Sequence, residues 1–492
     1  MKRKWLYTLI ALLALSCSSN KNDQLWPQFR GVNGAGVASN TSKPPITFGD
    51  QNLKWETEIP NGVSSPIIWE DKIFVTGYVD SLKELQTLCL DRKNGKKLWV
   101  ASVVPDTLEK FSQISSPAQG TPTTDGERVI SYFGSCGLFC YDMNGKILWS
   151  YPLRSSTSWY GSANSPIMIE DKVILLIDSD SEHSVRSINK VTGELIWKSI
   201  FSTPMFTGPT GHSTPLINDS VIFIHRLCEI NAVSLKDGSE IWNYKIITSG
   251  TSSPIIAGDK VVVSCWQNFS EEEQRGMLPD FDALIEAYDK DKNRLISKDE
   301  IPDHLILYTR PEISDLPGAT NSVKPFFGFF DSNNDQLSSR KEWEAGVELI
   351  KTLYKPAGLI ALNLSSKGSI QEDKAIWRVE KNMPEVPTPI FYNNRIYTIK
   401  DGGVMTCINP QTGNVIYSKR IGNSGSYISS PIAANNNLYI INAKGRMKII
   451  KASDKYEEIG SYDFKENVLA TPAFSGKYFY IRTSKGLRSY KN

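Results

Sequence analysis

The 492-residue chain carries four histidines and seven cysteines, and no two of the cysteines are adjacent. His183, His212, His225 and His304 are scattered, with no pair at metal-ligand spacing and no nucleophile motif beside them. Only His212, in "TGPTGHSTP", stands immediately before a predicted inner strand, which makes it a candidate for a ligand contact. Long basic runs are also missing, and 55 Lys+Arg nearly balance 53 Asp+Glu, so the charge gives no reason to expect nucleic acid as a partner. Beyond Leu15 no apolar stretch reaches the roughly 20 residues that a membrane-spanning helix needs.

The start of the chain is different. "MKRK" is basic, Trp5 to Leu15 is an apolar run too short to span a bilayer, and "ALSC" is a small-residue site ending at Cys17. This reads as a bacterial lipoprotein signal: residues 1–17 are the signal ending at a lipidated Cys17, and 18–25 are a polar tether. Ser18, rather than Asp, after the cysteine is compatible with outer-membrane sorting. The expected location is the cell envelope, lipid-anchored, at the outer membrane facing the periplasm.

Past the tether the chain repeats. "SSPIIWEDKIF", "GTPTTDGERVI", "NSPIMIEDKVI", "STPLINDSVIF", "SSPIIAGDKVV", "PTPIFYNNRIY", "SSPIAANNNLY" and "ATPAFSGKYFY" place prolines at Pro66, Pro122, Pro166, Pro215, Pro254, Pro389, Pro431 and Pro472. Each proline leads into an apolar run, a polar turn and a second apolar run, the pattern of two antiparallel strands. A second landmark pairs a glycine with an aromatic residue four positions on, at Gly95/Trp99, Gly145/Trp149, Gly193/Trp197, Gly238/Trp242 and Gly413/Tyr417. Glycine supplies a turn's positive φ and the aromatic fills the gap between adjacent sheets. Trp377 fits the aromatic column without a clean glycine.

Four short strands per repeat predict an all-β, eight-bladed β-propeller. The last unit stops after its third strand, and an orphan strand "LKWETEI" carrying Trp55 precedes the first, so residues 53–59 are expected to close the last blade.

"WPQFRGVNGAG" (residues 26–36), followed by repeats of the form "xxDxxxGxxxW", resembles the pyrroloquinoline-quinone-like (PQQ-like) β-propeller repeat family. That family includes quinoprotein alcohol dehydrogenases and the propeller lipoprotein of outer-membrane protein assembly. In the dehydrogenases the resemblance implies a quinone held over a disulfide of adjacent cysteines, with calcium on a Glu, an Asn and an Asp. No such cysteine pair occurs here, and PQQ is not favoured as a cofactor. Cys89, Cys140 and Cys407 share a column with Ser187, Ala232 and Ala361, which asks for a small buried side chain. Cys136 and Cys140 flank a predicted turn and could pair in an oxidising envelope; two packed thiols is the preferred reading.

One segment breaks the repeat. Residues 270–355 separate two parts of the propeller, 26–269 and 356–492, by interrupting the fifth blade between its second and third strands. Phe281, Leu284, Ile285 and Tyr288 recur at helical spacing. "DKDKNRLISKDE" follows, with Asp289, Asp291, Asn293, the Leu295 carbonyl, Ser297 and Glu300 at the ligand positions of a calcium loop. A second copy, "DSNNDQLSSRKE", offers Asp331, Asn333, Asp335, the Leu337 carbonyl, Ser339 and Glu342. Two such loops 42 residues apart, each expected between amphipathic helices, predict an EF-hand pair with calcium as cofactor.

Position 6 of these loops, normally glycine, is Arg294 in the first and Gln336 in the second. Lys290, Lys292, Arg294 and Lys298 offset the first loop's carboxylates, so weak binding of about 0.1–1 mM is expected.

Three functional classes fit the sequence. The first is a monomeric, lipid-anchored binding or scaffold propeller with an envelope protein or glycan as partner, and calcium ordering the insert. The second is a quinone-dependent dehydrogenase, for which Trp159 or Trp266 would be the stacking aromatic. The third is a carbohydrate-binding or carbohydrate-processing propeller.

Overall fold

Strand follows strand in a regular antiparallel order because each repeat alternates a short apolar run with a turn that reverses it. The computed structural model describes residues 25–492 apart from 157, 159, 180–181, 203–210, 315–318 and 356. Cys17 and the expected signal and tether up to residue 24 therefore lie outside the described residues, as does Trp159.

Eight four-stranded units form an eight-bladed β-propeller. In blade 1 the strands run Ile67–Trp69, Lys72–Val79, Glu84–Asp91 and Lys97–Val103, from the innermost to the outermost. The innermost strands of neighbouring blades touch one another and line the axis. As predicted, Leu53–Glu58 is the outermost strand of blade 8, paired antiparallel with the C-terminal strand Gly486–Lys491. Closure in this way leaves no sheet edge between first and last blades to unzip.

The repeat residues act between blades. Trp55, Trp99, Trp149, Trp197 and Trp377 each donate the indole N–H to a backbone carbonyl in the next blade's outer turn, on Arg92, Met143, Lys190, Leu235 and Pro410, at 2.9–3.2 Å. The glycine that each tryptophan meets is therefore the next blade's, not the one four residues before it. A Cβ on Gly193, at φ +77°, would lie 2.7 Å from the Trp149 ring. The small-residue column explains itself in the same register: Cys89, Cys140, Ser187, Ala232, Ala361 and Cys407 sit directly across from the aromatic residue of the outer strand. All six described cysteines are free thiols, Cys140 in a strand opposite Ile130 and Cys136 in the preceding turn.

Around the axis the residue before each repeat proline is Ser or Thr. Successive backbone N–H groups of Ser65, Thr121, Ser165, Thr214, Ser253, Thr388 and Ser430 each donate to the hydroxyl of the next blade's residue, at 2.9–3.3 Å. Proline follows because it needs no donor of its own at the start of an inner strand.

Two features escaped the sequence reading. Leu25–Trp26 adds a fifth, innermost strand to blade 1, and Gly368–Ile370, from blade 5, adds a parallel fifth strand to the outer edge of blade 4.

Candidate functional site

Because strands alternate in direction, the connections between second and third strands and those between blades emerge at the same end of the ring. The insert replaces such a connection in blade 5, between Lys260–Cys265 and Gly358–Asn363, so it stands on that face. Its core is its own: Phe281, Leu284, Ile296, Phe330, Trp343 and Ile350 are buried together.

Helix α1 (Phe281–Tyr288) starts at Asp280, whose carboxylate accepts from the Ala283 N–H at 2.9 Å. Phe281 and Leu284 are buried, and Ile285 and Tyr288 pack partly buried beside them, as their spacing predicted. Helix α2 (Arg340–Thr352) starts in a capping box between Ser339 and Glu342. The expectation of an α-helix on both sides of each loop does not hold. After Glu300 the chain turns at Pro302 into a strand, Ile306–Thr309, and "VKPFFGFF" forms a 3₁₀ turn at Lys324–Phe329, where Pro325 removes a donor and Gly328 weakens the helix.

The two loops join through a short antiparallel pair, Ile296–Ser297 with Leu337–Ser338. In the first loop Asp289, Asp291 and Glu300 bring one carboxylate oxygen each within 4.8 Å of one another. Asp289 Oδ1 is buried with no hydrogen-bond partner among the described residues, while Oδ2 accepts from the Arg294 N–H at 2.9 Å. Asn293 Oδ1 accepts from the Leu295 N–H, and Ser297 donates to Glu300 Oε2 from both backbone and hydroxyl, each at 2.8 Å.

In the second loop Asp331 accepts from Asp335 and Gln336, Asn333 Oδ1 from Asp335, and Asp335 Oδ1 from Leu337. Glu342 is taken up by Ser339 and Ser332, which hold its carboxyl down at about 2, and among the described residues this loop's carboxylates do not converge as the first loop's do. Arg294 and Gln336 adopt φ +62° and +70°, the left-handed turn that glycine would make without strain.

The insert is locked to the ring by a charged network that the sequence reading missed. Arg310, 8% exposed, places Nη1 2.6 Å from Glu385 and Nη2 2.7 Å from Asp401, and lies 4.5 Å from the centroid of the Trp266 ring. Asp401 Oδ1 also accepts from the Tyr427 N–H at 2.6 Å. Burial pushes the Asp401 carboxyl up to about 6, against the pull of Arg310. Lys400 pairs with Glu271, and Gln274 donates to Glu312 at 2.8 Å. Residues 91 positions apart in sequence meet here, and no local spacing records it.

On the same face three of the histidines are gathered rather than scattered. Asp178 accepts from His183 Nδ1 at 2.6 Å and from the Leu227 N–H at 2.8 Å, and its charge reaches His212 and His225. His225 is fully satisfied by Ser252 and Thr248. His212, whose two ring nitrogens have no partner among the described residues, lies edge-on to Tyr160; burial pushes it down to about 4, so it is neutral. Glu109 is the other group missed: 2% exposed and beside Ser162, its carboxyl pushed up to about 8 by burial against the pull of Ser162. Gly134 makes room for it, since a Cβ there would collide with the carboxyl group, and Gly161 packs closely against it.

A family profile described as outer membrane protein assembly factor BamB matches residues 46–158 and 84–277. The fold is that of a PQQ-like β-propeller. BamB from Moraxella catarrhalis superposes with a TM-score of 0.52 at 10% identity, covering 88% of this chain and 97% of that one. A europium-containing methanol dehydrogenase gives 0.58 at 10% identity, covering 96% and 98%. The quinohemoprotein alcohol dehydrogenase from Comamonas testosteroni gives 0.56 at 10% identity, covering 96% and 81%. No curated protein matches the sequence. Assembly factor and dehydrogenases share this PQQ-like propeller, so the residues on its face, not the fold, must discriminate between them.

Of the two stacking candidates for a quinone only Trp266 is described, and it is already occupied. Arg310 lies over the Trp266 ring, and Glu385 and Asp401 are paired with that same guanidinium.

Proposed function

We propose that this protein is a lipid-anchored binding or scaffold propeller of the cell envelope, held at the outer membrane through Cys17 and facing the periplasm. Residues 270–355 act as an EF-hand-like module on its loop-bearing face. Calcium there would be held by Asp289, Asp291, Asn293, the Leu295 carbonyl, Ser297 and Glu300, and in the second loop by Asp331, Asn333, Asp335, the Leu337 carbonyl, Ser339 and Glu342. It would supply charge neutralisation and order to the two loops, not chemistry on a substrate.

The observation that carries this reading is Arg310. A guanidinium from the insert meets Trp266, Glu385 and Asp401 of the ring at once, which ties the module to the propeller at this point. The likeness to BamB supports an envelope partner; the partner's identity would come from experiment.

Two measurements test the reading. Cross-linking in envelopes, followed by purification of the full chain with calcium or with a chelator, is expected to recover an outer-membrane protein in larger yield with calcium. Calorimetric titration of PQQ into the calcium-saturated protein is expected to give no heat; micromolar binding would reinstate the dehydrogenase reading.

A further inference from the structure

The segment after Leu25 runs inside the ring. Pro27 O accepts from the Thr124 N–H of blade 2, the turn Val32–Gly34 packs on the inner strand of blade 4, Ala38 donates to Ala433 of blade 7, and Lys43 to Gly476 of blade 8. Arg30 stands in the middle of this plug, 1% exposed. Its Nη2 donates to Pro389 O at 2.8 Å and more weakly to Ala35 O at 3.4 Å. Among the described residues Nε and Nη1 have no partner and no carboxylate pairs with the guanidinium. Arg482, equally buried and equally without a carboxylate, differs in a telling way: its two terminal nitrogens donate to Ser64, Thr76 and Pro60. This fold can therefore satisfy a buried arginine with neutral acceptors, and it does not do so for Arg30.

Beside Arg30 is a cavity of about 10 Å³, room for roughly one water-sized particle. Thr214 and Ser253 also line it. Their hydroxyls accept from the neighbouring blade's backbone, and among the described residues neither donates to any protein acceptor. A full positive charge with two idle guanidinium nitrogens and two hydroxyl protons thus line one small space, together with Gln28 and Phe29. An unpaired charge is costly to bury, and a neutral water cannot offset the charge as an anion does.

We propose that this cavity binds a small monovalent anion, chloride in a cell, cradled by Arg30 and the hydroxyls of Thr214 and Ser253. The anion pins the N-terminal plug to blades 4 and 5. The site lies on the axis, apart from the insert and its loops.

Thermal unfolding of the whole chain in sodium chloride against sodium gluconate, at equal ionic strength, tests it. A saturable rise in Tm with chloride is expected, and the rise should vanish in Arg30→Gln. Crystals soaked in bromide should show an anomalous peak within hydrogen-bond distance of Arg30 Nε or Nη1, a result that stands even if the variant does not fold. Equal Tm values in the two salts together with no bromide peak would overturn the site in favour of a water, and a chloride effect that survives in a folded Arg30→Gln would overturn its assignment to Arg30.

Discussion

Glu109 shows how much a single residue can hold in reserve. Its carboxyl has a folded-state pKa of about 8 against an ordinary 4.5, because ionising it would place a charge away from water, a cost that Ser162 offsets only in part. A folded-state pKa above the unfolded one means that the native state binds the proton more tightly. The stabilisation is thus fully present below about pH 4.5 and is lost as the pH rises through about 8. Urea unfolding at a series of pH values should show this fall in the wild type, and Glu109→Gln should flatten it and gain stability relative to wild type at pH 8. A wild-type profile that is flat between those limits would mean that the carboxyl is solvated. Nothing in "DTLEKF" hints at this group, since its burial is created by Gly134 and Gly161 from other loops.

At the scale of elements, the repeat glycines and tryptophans are one device split between two blades. Gly193→Ala would force a side chain into the left-handed region and against Trp149, so we expect a loss of about 1–3 kcal/mol, read as a lower urea midpoint with an unchanged slope.

The helical insert invites a second test. Its first loop aims an unpartnered Asp289 oxygen at Asp291 and Glu300, yet its non-glycine turn and four basic side chains work against tight binding. Calcium should therefore protect residues 270–355 from protease only at about 0.1–1 mM, and Asp289→Ala with Asp331→Ala should abolish the protection. Protection unchanged in that double variant would remove calcium from the account of the insert.

At the scale of the whole molecule, stability depends on a ring that closes. Trp55 joins the two chain ends: its strand pairs with the C-terminal strand, its ring lies 6.0 Å from Tyr480, and its indole reaches Arg92 in blade 1. Trp55→Ala should cost about 3–5 kcal/mol, as for a large core aromatic, and circular dichroism and tryptophan fluorescence should still report one coincident transition. Two separated transitions would show that the blades unfold independently of closure.

What the sequence determined by itself was everything written as a period. Strand pairs, blade number, the closing strand and the small-residue column all follow from side chains recurring at fixed spacing, because each blade buries the same face against the next. The convergence of Asp289, Asp291 and Glu300 was legible for the same reason, as a local spacing. Tertiary structure alone decided the rest. Arg310 meets Asp401, three histidines surround Asp178, and Arg30 reaches the axis because ring closure brings distant loops to one face or one centre. Such contacts cross blades at no constant separation, and their charges acquire meaning only once burial removes the water around them.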